Sequence, residues 1–166
     1  IHALSRKLGW PMLADVYSGL RFDGEPNMPG YDIFLRHEEL GRLAPDFVFE
    51  FGGYPTSKVL NNYLNRHKPQ VIRVQRDTLP RDPDARASKT IVTDVAEFCN
   101  NVITHAKVSR DSLLLDPFWK ATGVLRSHQA GACTNDAAEL SYVNAALESL
   151  PDNSNLVLAS SMPIRY

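Results

Sequence analysis

Thr56, Ser57 and Lys58 form the run of side chains that is best suited to bind an anion. They follow two glycines in FGGYPTSKVL, where an apolar segment passes into a helical pattern. Backbone N–H groups in the first turn of a helix lack intrahelical partners, and the helix dipole adds partial positive charge. The alternative is an ordinary N-cap, in which Thr56 or Ser57 accepts a backbone hydrogen bond and Lys58 is solvated. This stretch alone leaves both interpretations open.

The other reactive residues do not assemble into a catalytic or metal-binding set. No GxGxxG or Walker A spacing occurs, and Cys99, Cys133 and the five histidines are scattered without metal-ligand spacing. Asp82 and Asp84 lie close together in RDPDAR, but Pro83 and the flanking arginines favour a charged loop over an acid–base pair. The sequence therefore predicts no catalytic, cofactor-binding or metal-binding residues of its own.

The elements that must position these residues alternate between strands and helices with short connections. This order is typical of βαβ units and a parallel sheet, in which ligands bind beyond the carboxyl ends of the strands. We predict a Rossmann-like α/β fold with helices on both faces of the sheet. The predicted strands are residues 12–15, 47–51, 71–75 and 89–94, and the predicted helices are residues 1–8, 31–43, 56–67 and 95–106.

The pattern divides the chain into three parts. Residues 1–106 form the predicted Rossmann-like domain, and residues 107–133 show no sustained period and are interpreted as an interdomain connector. Residues 134–166 then give a capped amphipathic helix, a turn and a strand, which predict the start of a second α/β domain. Since the first residue is Ile1 and already lies in a helical pattern, we expect the chain to be a piece of a longer protein.

Composition excludes several classes of partner. The chain has 18 lysines and arginines against 19 aspartates and glutamates, a formal net charge of −1, so a nucleic-acid partner is not expected. No apolar run approaches the ~20 residues of a membrane span. Two cysteines in unrelated contexts favour a reducing compartment, and we expect a cytoplasmic protein, or a plastid protein in a photosynthetic eukaryote.

Four motifs together resemble one known family, the SEPHCHC synthases (2-succinyl-5-enolpyruvyl-6-hydroxy-3-cyclohexene-1-carboxylate synthases). The chain is similar to their central domain and the first turn of their cofactor domain. The motifs, in the order of that family, are LGWPMLADVYSGLR (8–21), FGGYPTSKVL (51–60), VQRDTLPRDP (74–83) and SSMPIR (160–165).

The resemblance implies a thiamine-diphosphate-dependent transferase with Mg²⁺ or Mn²⁺. Such enzymes decarboxylate 2-oxoglutarate and add the succinyl-semialdehyde unit to isochorismate, in menaquinone or phylloquinone biosynthesis, as homodimers or homotetramers. It further implies that Lys58, Ser161 and Arg165 contact the substrates. The glutamate that activates thiamine and the GDG…NN motif would lie outside this chain, so the piece alone is expected to bind no cofactor and to be inactive.

Two alternatives stay open at this point. The chain could be the central domain of another thiamine-diphosphate enzyme, some of which bind FAD or a nucleotide there. It could also be a non-catalytic α/β scaffold module in which the Thr56–Ser57–Lys58 turn is only a helix cap. Flavin absorbance distinguishes the first alternative, and binding of a dicarboxylate at the turn distinguishes the second.

Overall fold

The computed structural model describes residues 1–21, 26–79, 81–107, 114–132 and 139–157. It divides into two compact units, Ile1–Thr122 and Gly123–Tyr166. The elements in chain order are α1 (His2–Leu8), α2 (Tyr31–Phe34), α3 (Glu38–Arg42), β1 (Phe47–Phe51), α4 (Lys58–His67), β2 (Gln70–Gln75), β3 (Ala87–Val92), α5 (Val95–His105), α6 (Leu115–Ala132) and α7 (Glu139–Glu148).

The first unit is built on a parallel sheet of three strands in the order β1-β2-β3. Phe51 of β1 pairs with Val74, and Gln75 of β2 pairs with Val92, so the carboxyl ends of the strands meet at one edge. The predicted strands at 47–51 and 71–75 are confirmed. The strand predicted at 89–94 spans Ala87–Val92 instead. It ends two residues before the predicted end because Asp94 leaves the sheet to cap α5, accepting from the N–H groups of Ala96 and Glu97.

Helices cover both faces of this sheet, as the fold prediction required. Side chains alternate along a strand, so Phe49 and Phe51 share one face of β1, where their rings contact Phe98 of α5 at centroid distances of 5.4 and 6.0 Å. Trp10 stacks on Phe49 at 5.3 Å on the same face. Glu50 points to the other face, toward α4.

The strand predicted at residues 12–15 was wrong. Met12 makes an isolated parallel bridge to Asn27, and the N–H of Met28 donates to the Met12 carbonyl at 2.9 Å. The Ala14 N–H donates to the Asn27 side chain at 3.3 Å. The polar groups of this segment therefore find partners in the segment that begins at Pro26, and the apolar residues Met12 and Ala14 are buried without joining the sheet.

The single helix predicted at residues 31–43 was also wrong, because it is broken into α2 and α3. His37 has an extended conformation with ψ of 135° and interrupts the helical hydrogen bonds. The two short helices then pack closely: a Cβ on Gly41 would lie 2.7 Å from the Leu35 carbonyl oxygen. The break brings α3 back toward α2, and glycine is required at the contact.

Residues 115–132, for which the sequence predicted no regular element, form the 18-residue helix α6. Asp116 and Pro117 suit a first helical turn, but the apolar residues that follow do not form one stripe. A tertiary contact holds the start of this helix in place, because Phe118 is buried and its ring lies 4.9 Å from that of Phe34. The predicted domain boundaries at residues 106 and 133 stay predictions.

The described part of the second unit contains α7, which lies within the helix predicted at residues 134–150. Asn153, in the predicted turn after it, has a left-handed conformation with φ of 63°. Residues 155–157 do not form a strand, and the rest of the predicted strand lies outside the described residues.

Candidate functional site

The turn between β1 and α4 lies at the carboxyl edge of the sheet, where the sequence predicted a ligand site. Gly52 has a φ of 81°, a left-handed conformation that favours glycine, and its N–H donates to the Val74 carbonyl at 3.0 Å. The chain then enters α4, and the Ser57 hydroxyl accepts from the Leu60 N–H at 3.0 Å. Ser57 is therefore the N-cap, and Lys58 is the first helical residue and is exposed.

The anion position at this turn is filled by the chain itself. One oxygen of the Asp15 carboxylate accepts hydrogen bonds from both the N–H and the hydroxyl of Thr56, each at 2.8 Å. The Ser57 hydroxyl in turn donates to the Asp32 carboxylate. Of the two interpretations of this turn, the N-cap interpretation therefore applies to Ser57. An anion does bind Thr56, but it is the carboxylate of Asp15 from the same chain.

Tyr31 lies beside the same carboxylates and is 1% exposed. Burial, together with the negative charges of Asp32 and Asp15, raises the pKa of the Tyr31 phenol far above its ordinary value. The phenol therefore stays protonated at neutral pH. It can donate a hydrogen bond in this cluster, but it cannot act there as a general base.

A buried ion network lies under the turn, between the sheet and α4. Arg73 donates to one oxygen of Glu50 from Nε at 3.0 Å and from Nη2 at 2.6 Å. Arg86 donates to the other oxygen, from Nε at 3.2 Å and from Nη2 at 2.8 Å. Arg86 also donates to the Asn61 side chain of α4 at 2.8 Å. Every oxygen of Glu50 thus serves two guanidinium donors, which fixes the sheet against the helix.

Sequence reasoning missed this network, although a signal was present. Glu50 and Arg73 are the single charges in otherwise uncharged strand segments, FVFEF and QVIRVQ. They are direct partners in the parallel register of β1 and β2. A lone acid and a lone base in neighbouring buried strands indicate a buried pair once the register is known.

The loop RDPDAR carries the rest of the network. Asp82 accepts from Arg73 at 3.2 Å and from the N–H groups of Arg86 and Ala87 at 3.1 and 2.8 Å. Burial opposes the charge of Asp82, but these backbone donors and Arg73 outweigh it and lower its pKa. Hydrogen bonds from Tyr54 and Asn65 lower the pKa of Asp84. Since both carboxylates stay ionised at neutral pH, the geometry supports the charged-loop interpretation over an acid–base pair.

A basic cleft of about 560 Å³ opens on the other side of α4. We call it the α3–α4 cleft, and its polar rim is Arg36, His37, Glu38, Arg42, Lys58, Asn62 and Arg66. Lys58, Asn62 and Arg66 are four residues apart along α4 and therefore share one face of the helix. This spacing was readable in the sequence, but the arginines before and within α3 join it only through the break between α2 and α3.

The predicted site residues are thus only partly placed. Lys58 lies on the rim of the α3–α4 cleft, at the carboxyl edge of the sheet. Ser161 and Arg165 lie outside the described residues. Within the described ranges, no three His, Cys, Asp or Glu side chains are grouped so that they could hold a metal ion. No helix in the same ranges is long and apolar enough to cross a bilayer.

Comparison with known proteins shows which family the chain is similar to. The family model described as the middle domain of thiamine pyrophosphate matches residues 1–158. A 2-succinyl-5-enolpyruvyl-6-hydroxy-3-cyclohexene-1-carboxylate synthase of Bacillus pumilus is 35% identical over 169 residues, covering 98% of this chain and 29% of the relative. The synthase of the same name from Rubrobacter xylanophilus is 34% identical, with 98% and 29% covered.

A third relative with this name, from Roseiflexus sp. strain RS-1, is 31% identical over 100% of this chain and 28% of its own length. The chain therefore spans less than a third of the length of these curated relatives. The parallel sheet with its covering helices agrees with the α/β middle domain that the family model describes. The predicted resemblance to SEPHCHC synthases is confirmed, and the chain belongs to the family of thiamine pyrophosphate middle domains.

Proposed function

We propose that this chain is the middle domain, with the entry into the cofactor domain, of a SEPHCHC synthase. The protein that carries it would be a transferase that decarboxylates 2-oxoglutarate and adds the succinyl-semialdehyde unit to isochorismate, in menaquinone or phylloquinone biosynthesis. The similarity to three synthases of that name across nearly the whole chain supports this assignment. We further propose a cytoplasmic homodimer or homotetramer; the bacterial relatives favour the cytoplasm over a plastid.

When bound, thiamine diphosphate with Mg²⁺ or Mn²⁺ would supply the chemistry for decarboxylation and for forming the new carbon–carbon bond. The described residues do not fit a role in holding that group, because they contain no cluster of metal ligands and the first turn of α4 is filled by Asp15. We therefore assign the cofactor to other parts of the protein, and the chain alone would be inactive.

The observation that carries the proposal for this chain's own residues is the position of Lys58. Its ammonium group is exposed at the carboxyl edge of the sheet, the edge at which α/β proteins bind their ligands. Among the described residues it has no ion-pair partner. An unpaired cation at this edge would attract and orient substrates that carry several carboxylates. Ser161 and Arg165 would contact a substrate carboxylate, for which the planar guanidinium is suited.

Steady-state kinetics of the intact protein test this proposal. We expect Lys58→Ala to lower kcat/KM by about tenfold, the size of one lost charged hydrogen bond, with an unchanged melting temperature. Arg165→Ala should lower kcat/KM by roughly ten- to a hundredfold, and Arg165→Lys should recover only part of it, because an ammonium group cannot reproduce the fork.

Lys7→Ala is the matched control for Lys58→Ala, since Lys7 is also an exposed helical lysine. It should leave both kinetics and stability unchanged. Normal kinetics in all three site variants would remove these residues from the substrate site. Absence of SEPHCHC formation by the intact wild-type protein, with thiamine diphosphate and Mg²⁺ supplied, would overturn the assigned activity.

A further inference from the structure

We infer that the α3–α4 cleft is a binding site for a small polyanion, a molecule that carries two or more phosphate or carboxylate groups. The inference does not depend on the activity proposed above, because it uses the charge and shape of the cleft alone. It concerns the face of α4 that carries Lys58, Asn62 and Arg66, and it shares Lys58 with the substrate site proposed above.

The charge of the cleft differs sharply from that of the whole chain. The lining residues include four cations, Arg36, Arg42, Lys58 and Arg66, and the single acid Glu38. The chain as a whole has a net charge of −1. An excess of three positive charges is thus gathered around one concave surface, and a concave surface of one sign concentrates counter-ions.

Internal carboxylates neutralise little of this charge. Glu38 binds Arg42, and both side chains of this pair are about three-quarters exposed. The Arg36 Nε donates to the backbone carbonyl of Asp32 at 3.0 Å, which orients the guanidinium without cancelling its charge. Among the described residues, Arg66, like Lys58, makes no ion pair. The cations of the rim are therefore available to a ligand.

The spacing of the cations sets the kind of ligand. Lys58 and Arg66 are eight residues apart on α4, which corresponds to about 12 Å along the helix axis. The cleft volume of about 560 Å³ lies in the range of small-molecule sites. A ligand with anionic groups several ångströms apart can contact both ends of the α4 stripe, whereas a single sulfate ion can reach only one.

The floor of the cleft is rigid and apolar. Leu35 and Tyr63 are buried there, and the Tyr63 hydroxyl donates to the Leu43 carbonyl. His67, one turn further along α4, places its Nε2 atom 2.7 Å from the Gly41 carbonyl oxygen. These contacts hold α4 against the α3 segment, so the rim cations are presented on a fixed frame. Binding would then require ordering of side chains alone.

Titration calorimetry of the intact protein with tripolyphosphate, and separately with citrate, tests the inference. We expect at least one of the two probes to bind, with an affinity that falls as ionic strength rises. Arg66→Glu should weaken that binding at least tenfold, because it removes one cation and adds a repulsive charge. Tighter binding of tripolyphosphate would assign a phosphorylated ligand, and tighter binding of citrate a polycarboxylate.

Lys7→Glu is the matched control, because Lys7 and Arg66 are both exposed basic residues in the last turn of a helix. It should change the affinity less than twofold. If a probe binds at a different site, neither variant changes its affinity. That result would overturn the inference. Absence of binding by the wild-type protein would also overturn it, as expected if the cleft only contacts an acidic surface of the same protein.

Discussion

Arginine side chains occur in two opposite settings on the two sides of helix α4. Arg73 and Arg86 are buried and share Glu50 through four hydrogen bonds, with Asp82 as a further partner. Arg66 lies on the exposed rim of the α3–α4 cleft and has no ion pair among the described residues. Neighbouring residues of α4 face the two settings, since Asn61 bonds Arg86 and Asn62 lines the cleft.

The difference shows how this fold separates stability from binding. A buried guanidinium without a carboxylate costs several kcal/mol, so each buried arginine has its partners inside the protein. An exposed guanidinium is solvated and can remain unpaired at little cost. The buried arginines therefore contribute to the stability of the domain, and the exposed arginine can bind a ligand. Removing the acid Glu50 from the buried setting and the acid Glu38 from the exposed setting should therefore change the stability of the protein by different amounts.

The largest effect is expected for Glu50→Gln. The change leaves two buried guanidinium groups without their shared charge, and we expect the free energy of unfolding to fall by about 3 kcal/mol. Denaturant unfolding of the intact protein measures it. Glu38→Gln is the control, because it breaks the exposed pair with Arg42 and should change stability by less than about 0.5 kcal/mol. Equal losses in the two variants would contradict the distinction between the settings.

A smaller effect is expected for Asp15→Ala, which removes the carboxylate that binds Thr56. The loss of its two hydrogen bonds from Thr56 and of the one from the Tyr17 N–H should lower the free energy of unfolding by about 1 kcal/mol. It also empties the anion position at the first turn of α4, so sulfate should raise the melting temperature of Asp15→Ala more than that of the wild type. Asp46→Ala, at an exposed acid, is the control. An identical sulfate response in all three proteins would show that Asp15 does not occupy an anion site.

The smallest effect is expected in acid. The pKa of Asp82 is lower in the folded protein than its ordinary value of 3.8, so the unfolded chain binds more protons as the pH falls through this range. The stabilisation by Asp82 is therefore complete above about pH 4 and is lost below it. Unfolding curves between pH 6 and pH 2 should show a weaker pH dependence for Asp82→Asn than for the wild type. Parallel curves would mean that Asp82 does not contribute to acid sensitivity.

The sequence alone determined the parts of this protein that depend on local pattern. The alternation of apolar and helical segments predicted β1, β2, α4 and α5, and the hydroxyls at positions 56 and 57 marked the start of α4. Four short motifs were enough to identify the family. These signals were readable because periodicity, caps and motif spacing are properties of neighbouring residues.

Tertiary structure decided everything that depends on residues far apart in the chain. The segment at Met12 paired with Asn27 instead of the sheet, α6 formed around the contact of Phe118 with Phe34, and His37 broke a helix that the periodicity favoured. The same long-range packing brought Asp15 to Thr56, 41 residues away, and so filled the predicted anion position. Only the fold could show this, because the sequence does not indicate whether a charged side chain pairs with another part of the chain or with a ligand.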